Sequence, residues 1–212
     1  MQVPQSWAKA RFTLFVALAC VAAYVVLAAI GWDEWATIWG GFIPARLAYG
    51  GDEMLAPFWL TPLTSAFLHA NLLHLFFNLL ILIFCGRPTE AVVGMPGMAI
   101  LYLLGAYAAA AAQYVADPVS SVPMIGASGA ISAVLGAYAI LFGRNKVKVA
   151  SPRLAMLLNA LWLMAAWIVL QLIVGVTFAG AGIGVAIAAH IGGFAVGLIL
   201  ANPLLLFRYR NA

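Results

Sequence analysis

The stretch "IGASGAISAVLGAY", residues 125–138, consists mostly of glycine, alanine and serine, and Ser128 and Ser132 carry its only hydroxyl groups before the final tyrosine. It lies in a chain of 212 residues, of which 66% are hydrophobic and only 8% are charged. A soluble domain needs far more charge than this at its surface. Ser128, Ser132 and Gly136 recur every four residues, which is the small-xxx-small pattern of closely packed membrane helices. The stretch therefore predicts a tightly packed membrane helix, in which Ser128 is either part of the packing or a nucleophile.

Six apolar runs are long enough to cross a bilayer as helices, which takes about 20 residues each. Long runs of this kind are unlike the short alternating segments of outer-membrane barrels. Proline and glycine mark the breaks, as in "GRP" at 86–88 and "MPG" at 95–97. The sequence predicts an all-α polytopic membrane protein with a single domain, 1–212, and no removable signal peptide. The predicted spans are 12–31, 66–86, 97–115, 126–142, 154–176 and 182–206.

The charged residues are distributed unequally between the two sides of this arrangement. Nine of the ten lysines and arginines fall on the side that holds both termini, and only Arg46 falls opposite. Because basic loops are retained in the cytoplasm, both termini are predicted to be cytoplasmic. These positions explain the basic pI of about 9.3 better than binding of nucleic acid does. A lipid bilayer is therefore the expected partner, and nucleic acid is not.

The first external loop, about 32–65, is the only long loop, and it is rich in aromatic residues. Four of the seven tryptophans lie in it, at Trp32, Trp35, Trp39 and Trp59. Amphipathic rings at this density indicate either a loop that lies in the headgroup layer or an ordinary aromatic belt at helix ends.

Few groups inside the predicted spans can carry chemistry. Cys20 and Cys85 fall in or at the ends of apolar runs and predict neither a disulfide nor a metal site, and no cofactor is expected. Unpaired polar groups are costly in hydrocarbon, so polar residues within spans are candidates for function. These residues are His74, Asn78, Ser128, Ser132, Asn159, Gln171 and His190, with His69 just ahead of the second span.

Three predicted spans bring polar residues to a similar depth near the outer face. His74 and Asn78 are four residues apart and share a helix face in the outer half of the second span. Ser128 lies near the outer start of the fourth span, and His190 lies a turn or two below the outer end of the sixth. A hydroxyl beside an imidazole can form a nucleophile–base pair.

Each of these residues also has a purely structural interpretation. A lone serine among small residues is more often a packing residue, and the face that would receive it is formed by His190, Gly193 and Gly197. The histidine and asparagine of the second span could simply hold helices together. For Asn159 and Gln171, hydrogen bonding between helices is favoured over substrate contact.

The reaction that a serine–histidine pair supports is acyl transfer. Neutral His190 accepts the proton of Ser128 as the hydroxyl attacks a peptide carbonyl, and then returns it to the leaving amine. His74 and Asn78, with the backbone N–H of Ser128, are candidate donors to the oxyanion. No carboxylate is predicted at this depth. The pair is therefore a dyad, and another group must fix the tautomer of the imidazole.

Three motifs together resemble the rhomboid family of intramembrane serine proteases. "GASG" at 126–129 is similar to the GxSG motif around the family's nucleophile, which alone is a weak signal. "HANLLHLFFN" at 69–78 and "AHIGGFAVG" at 189–197 are similar to its second-span and sixth-span signatures. The three motifs in this order are specific, and the resemblance extends over about residues 59–206. It implies a rhomboid-like bundle of six helices.

The resemblance also implies a role for each matching residue. Ser128 is implied to be the nucleophile and His190 the base. The implied oxyanion donors are His74 and Asn78. The residues with an implied structural role near the site are His69, Gly126, Gly129, Ser132, Gly193 and Gly197.

The chain departs from the family's pattern at two positions. Some members carry, four residues after the nucleophile, an aromatic residue that stacks on the catalytic histidine, and here that position is Ser132. Another side chain or a closer helix approach must then hold His190. In the first loop the family's Trp-Arg pair is incomplete, because Leu60 follows Trp59. The resemblance further implies that "VTFAGAG" at 176–182 caps the site, and both a lid and a plain tight turn fit this composition.

The leading functional hypothesis is an endopeptidase with a Ser-His dyad that cleaves single-span proteins near the outer face of a bacterial-type inner membrane. The resemblance implies substrates with small residues at the cut and a locally unstable helix. The alternative is an inactive relative that binds or escorts membrane clients, although such relatives usually lack the serine or the histidine. A small transporter lacks support, because no charged residue and no pair of broken helices is predicted within the spans. No oligomeric state is predicted.

Overall fold

The structure is a computed structural model that describes residues 10–50, 55–143, 151–177 and 186–210, with side chains in the third range described up to residue 173. These residues are helical apart from the segments that connect the helices and one isolated β-bridge between Phe42 and Met124. The expected all-α class is confirmed for this part of the chain.

The helices follow one another along the chain without any sheet in the described ranges. Short helices and 3₁₀ turns occupy the predicted first loop, and a single π turn joins two of the longer helices. In chain order the elements are α1 (Arg11–Ile30), α2 (Asp33–Gly40), α3 (Ala45–Tyr49), a 3₁₀ turn (Phe58–Leu60), α4 (Thr61–Thr64), a second 3₁₀ turn (Ser65–Phe67), α5 (Leu72–Ile81), the π turn (Leu82–Gly86), α6 (Arg87–Ala116), α7 (Ser128–Phe142), α8 (Pro152–Thr177) and α9 (Ile187–Tyr209).

Four helical stretches in the described residues are long and apolar enough to cross a membrane. The first of them, α1, agrees with the predicted span 12–31 to within one residue at each end. A further helix, α7, is apolar but has only 15 residues. The four stretches are Arg11–Ile30, Leu72–Ala116, Pro152–Ile173 and Ile187–Tyr209.

The stretch Leu72–Ala116 differs from the two predicted spans that it contains. A break was expected at "GRP", but the backbone stays helical there, and the interruption comes later, at Gly94, where φ is 78° and ψ is 167°. The wider π turn ends at Gly86, two residues before Pro88, whose ring lacks the N–H that a regular helix would use. The helix before the break therefore continues beyond residue 86, where the predicted span 66–86 ends.

The start of the same span is also later than predicted, because a side chain caps the helix. Asn71 has an extended backbone, and its Oδ1 accepts a hydrogen bond of 2.8 Å from the backbone N–H of His74. This is a standard N-cap, which satisfies one of the free N–H groups of the first turn. Helix α5 consequently begins at Leu72, and His69 lies in the preceding non-helical segment.

Helix α7 forms the centre of the molecule. Residues 128–137 are all buried, and α6, α8 and α9 pack around them. The contact with α9 is a contact between backbones, since a Cβ atom built on Gly197 would lie 2.0 Å from the carbonyl oxygen of Ala133. A Cβ atom on Gly136 would lie 2.4 Å from the carbonyl oxygen of Phe194. The predicted small-residue packing between these two helices is confirmed.

A buried carboxylate caps helix α1 from a distant part of the chain. Glu90, at the start of α6, is 1% exposed. Its Oε1 accepts from the N–H of Phe12 at 2.8 Å, and its Oε2 accepts from the N–H and the hydroxyl of Thr13 at 2.8 Å and 2.7 Å. The residue before the helix, Ala10, offers no side-chain cap. Glu90 therefore satisfies donors of the first turn and places a negative charge at the positive end of the helix dipole.

We expect Glu90→Ala to destabilise the fold, because three donors, two of them buried, would lose their acceptor. Each unsatisfied buried donor costs about 1–3 kcal/mol, so the free energy of unfolding should fall by roughly 2 kcal/mol or more. Thr13→Val removes only the hydroxyl and should cost about 1 kcal/mol. Thermal unfolding of the two variants in mild detergent measures the difference. Equal melting temperatures for Glu90→Ala and the wild type would contradict the capping role.

In the described part of the predicted first loop, three tryptophans pack against one another. Trp35 and Trp39, both in α2, stack their rings with centroids 5.6 Å apart. The ring centroid of Trp32 lies 5.4 Å from that of Trp35. The bridge between Phe42 and Met124 joins this loop to the segment before α7. Through that bridge the loop reaches the segment that carries the GASG motif.

Candidate active site

Ser128 and His190 meet across the packed pair α7 and α9. Ser128 is the first residue of α7 and is 7% exposed, and His190 lies in the first turn of α9 and is 3% exposed. The Ser128 Oγ and the His190 Nε2 are 2.9 Å apart, although 62 residues separate them in the sequence. This is the distance at which a hydroxyl can donate its proton to an imidazole nitrogen.

The aromatic contact of the imidazole comes from a tryptophan on α8. The Ser132 hydroxyl donates to the carbonyl oxygen of Ser128 at 2.8 Å and accepts from Nε1–H of Trp167 at 2.9 Å. The indole of Trp167 lies edge-to-face against His190, with centroids 6.0 Å apart and an interplanar angle of 65°. The aromatic contact that the sequence lacked at position 132 is thus made from another helix.

Gln171 is a second contact of the imidazole from α8. Its side-chain nitrogen lies 3.4 Å from His190 Nε2, and it is four residues after Trp167 on the same helix face. The structure agrees with the expectation that Gln171 links two helices. His190 Nδ1 has no hydrogen-bond partner within the described ranges.

His74 lies beside the nucleophile because Gly126 leaves room for its ring. Gly126 has a φ of +112°, a conformation that other residues rarely adopt, and a Cβ atom built on it would lie 2.6 Å from His74 Nε2. The same Cβ position is 3.7 Å from Ser128 Oγ. The N–H of Gly126 donates to the carbonyl oxygen of Ser65 at 2.9 Å, which fixes the loop. The glycine of the GASG motif therefore admits the histidine to the site.

The two remaining polar residues of the second-span motif have different environments. Asn78 is fully buried, and its Nδ2 donates to the carbonyl oxygen of His74 at 2.8 Å, four residues earlier. His69 packs its ring edge-to-face on His74, with centroids 5.1 Å apart, and its Nδ1 lies 3.3 Å from the carbonyl oxygen of Phe67. His69 thus contacts His74 directly, and its structural role stays a prediction.

A cavity of about 500 Å³ lies over the dyad. Asn78 is not among its lining residues, so the structure does not bring this predicted donor to the cavity wall. The predicted cap at 176–182 and the first residues of span 182–206 lie largely outside the described residues. The polar side chains that line the cavity include Asp33, His69, His74, Ser128, Gln171 and His190.

Sequence reasoning missed Trp167, although a signal for it exists. The residue lies in the middle of a predicted span, whereas tryptophan in membrane helices is enriched at the two interfaces. It also shares a face of α8 with the polar residue Gln171 and with the buried Ala160. An interior tryptophan on the polar face of a span indicates a site contact.

Comparison with known proteins agrees with the geometry of this site. A family model described as the rhomboid domain matches residues 57–207. The chain is 30% identical over 191 residues to the rhomboid protease GlpG of Pectobacterium atrosepticum, and 28% identical over 192 residues to that of Yersinia enterocolitica. Each match covers 89% of this chain and 61% of the relative. With its long apolar helices, this chain is an integral membrane protein that belongs to the rhomboid family.

Proposed function

We propose that the protein is an intramembrane serine endopeptidase that hydrolyses peptide bonds in or near the membrane-spanning segments of other proteins. The observation that supports it most directly is the 2.9 Å contact between Ser128 Oγ and His190 Nε2 on the wall of a cavity. Relatives that carry the name rhomboid protease add support. The chain spans 61% of the length of those relatives, so the proposal concerns the chemistry of this domain.

The proposed reaction begins with attack on a peptide carbonyl. Ser128 Oγ forms a bond to the carbonyl carbon while its proton passes to His190 Nε2. The C–N bond then breaks, and the imidazolium returns the proton to the leaving amine. A water molecule, deprotonated by the same imidazole, attacks the resulting ester, and the proton it gives up returns to Ser128 Oγ as the acid product leaves.

The negative charge that develops on the carbonyl oxygen must be stabilised by hydrogen-bond donors that are already in place. His74 is a candidate because its ring lies over Gly126, beside the nucleophile. The backbone N–H groups at the start of α7 are further candidates, since the first turn of a helix leaves them without intrahelical partners. Asn78 remains a proposed donor, and it would use the second hydrogen of its amide, because the first is engaged by the His74 carbonyl.

The proposed topology has six spans with both termini in the cytoplasm. The stretch Leu72–Ala116 has 45 residues, about 68 Å as one straight helix, which is more than twice the thickness of the hydrocarbon core. Its break at Gly94 fits two crossings. The buried α7 supplies one further span. The positive-inside distribution then directs the cavity toward the outer face of a bacterial-type inner membrane.

The proposed substrates are single-span membrane proteins with a locally unwound segment. A regular helix engages its carbonyl groups in hydrogen bonds, so a helical substrate cannot present its carbonyl carbon to Ser128. A cavity of about 500 Å³ accommodates a few residues in extended form. Several alanines, among them Ala106 and Ala109, line it. We expect small residues at the cut, as membership of the rhomboid family implies.

The decisive experiment uses the purified protein in liposomes with a single-span reporter whose products are mapped by mass spectrometry. We expect one main cut inside or beside the reporter's span, and labelling of Ser128 by a fluorophosphonate probe. Reporter that is bound but never cleaved, with Ser128 unlabelled, would favour the inactive client-binding alternative. Cleavage that persists unchanged after removal of the Ser128 hydroxyl would exclude the proposed mechanism.

A further inference from the structure

His190 is held by few polar contacts for a buried base. A carboxylate or carbonyl on one ring nitrogen ordinarily fixes the tautomer and orientation of a catalytic imidazole. His190 Nδ1 has no such partner in the described part of the chain. Its other nitrogen already meets Ser128 Oγ, with Gln171 at the longer distance of 3.4 Å. The orientation of the ring must therefore depend strongly on the packing of its faces and edges.

Trp167 provides packing of this kind. The indole is 3% exposed and lies edge-to-face against the imidazole, at a centroid distance of 6.0 Å. Aromatic pairs favour this arrangement, at separations of about 4.5–7 Å. Because the indole is large and rigid, it limits how far the imidazole of His190 can tilt away from the nucleophile.

The indole is itself tied to the helix that carries the nucleophile. Its Nε1–H donates to Ser132 Oγ at 2.9 Å, and the hydroxyl of Ser132 donates to the carbonyl oxygen of Ser128 at 2.8 Å. Both functions of this fully buried hydroxyl are therefore used. A chain of two hydrogen bonds links the backbone of the nucleophile to the ring that flanks the base.

We infer that Trp167 is the positioning residue of the general base and that the Ser132 hydroxyl holds it in place. The inference rests on the proposed protease function and deepens it. Trp167 touches no reacting atom; it keeps Nε2 of His190 aimed at the Ser128 hydroxyl, so that proton transfer and attack can coincide. Position 132 thus serves the imidazole indirectly, by anchoring a ring that comes from α8.

The test compares two tryptophans of the same helix. Trp167→Ala should lower kcat for reporter cleavage about tenfold and leave KM within about twofold, because misorientation of the base affects the chemical step rather than binding. The rate of fluorophosphonate labelling at Ser128 should fall by the same factor. Trp162→Ala is the matched control, since Trp162 is 75% exposed, and it should leave both rates unchanged.

Two milder variants keep the test valid if Trp167→Ala unfolds. Trp167→Phe retains a ring and should recover kcat to within about threefold of the wild type. Ser132→Ala removes the anchor and should lower kcat about threefold at constant KM, with a lower melting temperature because the buried indole N–H loses its acceptor. A decrease in kcat that appears only together with a lower melting temperature in all three variants would indicate a merely structural role and overturn the inference.

Failure of the inference and failure of the proposed function give different results. If the wild type cleaves the reporter through Ser128 and Trp167→Ala cleaves it equally fast, the positioning role is wrong while the protease function stands. If the wild type shows no cleavage that depends on Ser128, the proposed function is wrong, and the role of Trp167 is overturned with it.

Discussion

Ser128→Ala and His190→Ala should each lower kcat for reporter cleavage by about 10⁴-fold, which corresponds to roughly 5 kcal/mol of lost transition-state stabilisation. The reason is that neither residue can work without the other. A hydroxyl without a base stays protonated, and an imidazole without a hydroxyl has no nucleophile to activate. The double variant should therefore be no slower than either single variant, to within about threefold, since groups that act as a unit are not additive.

The control for this prediction is the same serine-to-alanine substitution at a serine outside the site. Ser121 is exposed and lies seven residues before the nucleophile. Ser121→Ala should cleave at the wild-type rate, while Ser128→Ala should still bind the reporter. The prediction fails if His190→Ala retains wild-type kcat, or if the effects of the two single variants multiply in the double variant.

Much of the fold could be predicted because membrane helices follow simple rules of length and apolar composition. The span 12–31 agrees with α1 for this reason. The end of the second predicted span could not be predicted, because "GRP" has the composition of a break. The backbone nevertheless stays helical there, through a π turn that precedes Pro88. The role of Glu90 was equally inaccessible. Its partners, Phe12 and Thr13, lie almost eighty residues away, and no local pattern connects them.

The dyad was accessible from sequence because each of its members lies in a motif, and small residues predicted the contact between their helices. The support of the base by Trp167 was missed. Trp162 and Trp167 lie five residues apart on α8, which places them roughly 140° apart around the helix. Trp167 is therefore buried at the site, whereas Trp162 is exposed. Apolar composition alone does not reveal which of the two faces inward, and the polar Gln171, four residues after Trp167, is the signal that marks the inward face.

Gly193→Ala should lower kcat about 100-fold, because the added methyl group would separate the helices that carry the dyad. Its Cβ atom would lie 2.1 Å from the carbonyl oxygen of Gly129. Carbon and oxygen atoms normally approach no closer than about 3.3 Å, so α7 and α9 must move apart by about 1 Å. Gly129 follows Ser128 directly, and Gly193 is three residues after His190. The separation therefore acts on the 2.9 Å contact between the nucleophile and the base.

A neighbouring residue on α9 distinguishes this effect from a general sensitivity of the helix to added volume. Ala195 is exposed, so Ala195→Val adds two carbon atoms that should meet only lipid, and kcat should stay at the wild-type value. Gly193→Ala should also slow fluorophosphonate labelling of Ser128, since the labelling needs the same base. Normal labelling together with slow reporter cleavage would mean that the methyl group obstructs the substrate and leaves the dyad intact. Unchanged kcat in Gly193→Ala would show that α7 and α9 can accommodate the methyl group without separating Ser128 from His190.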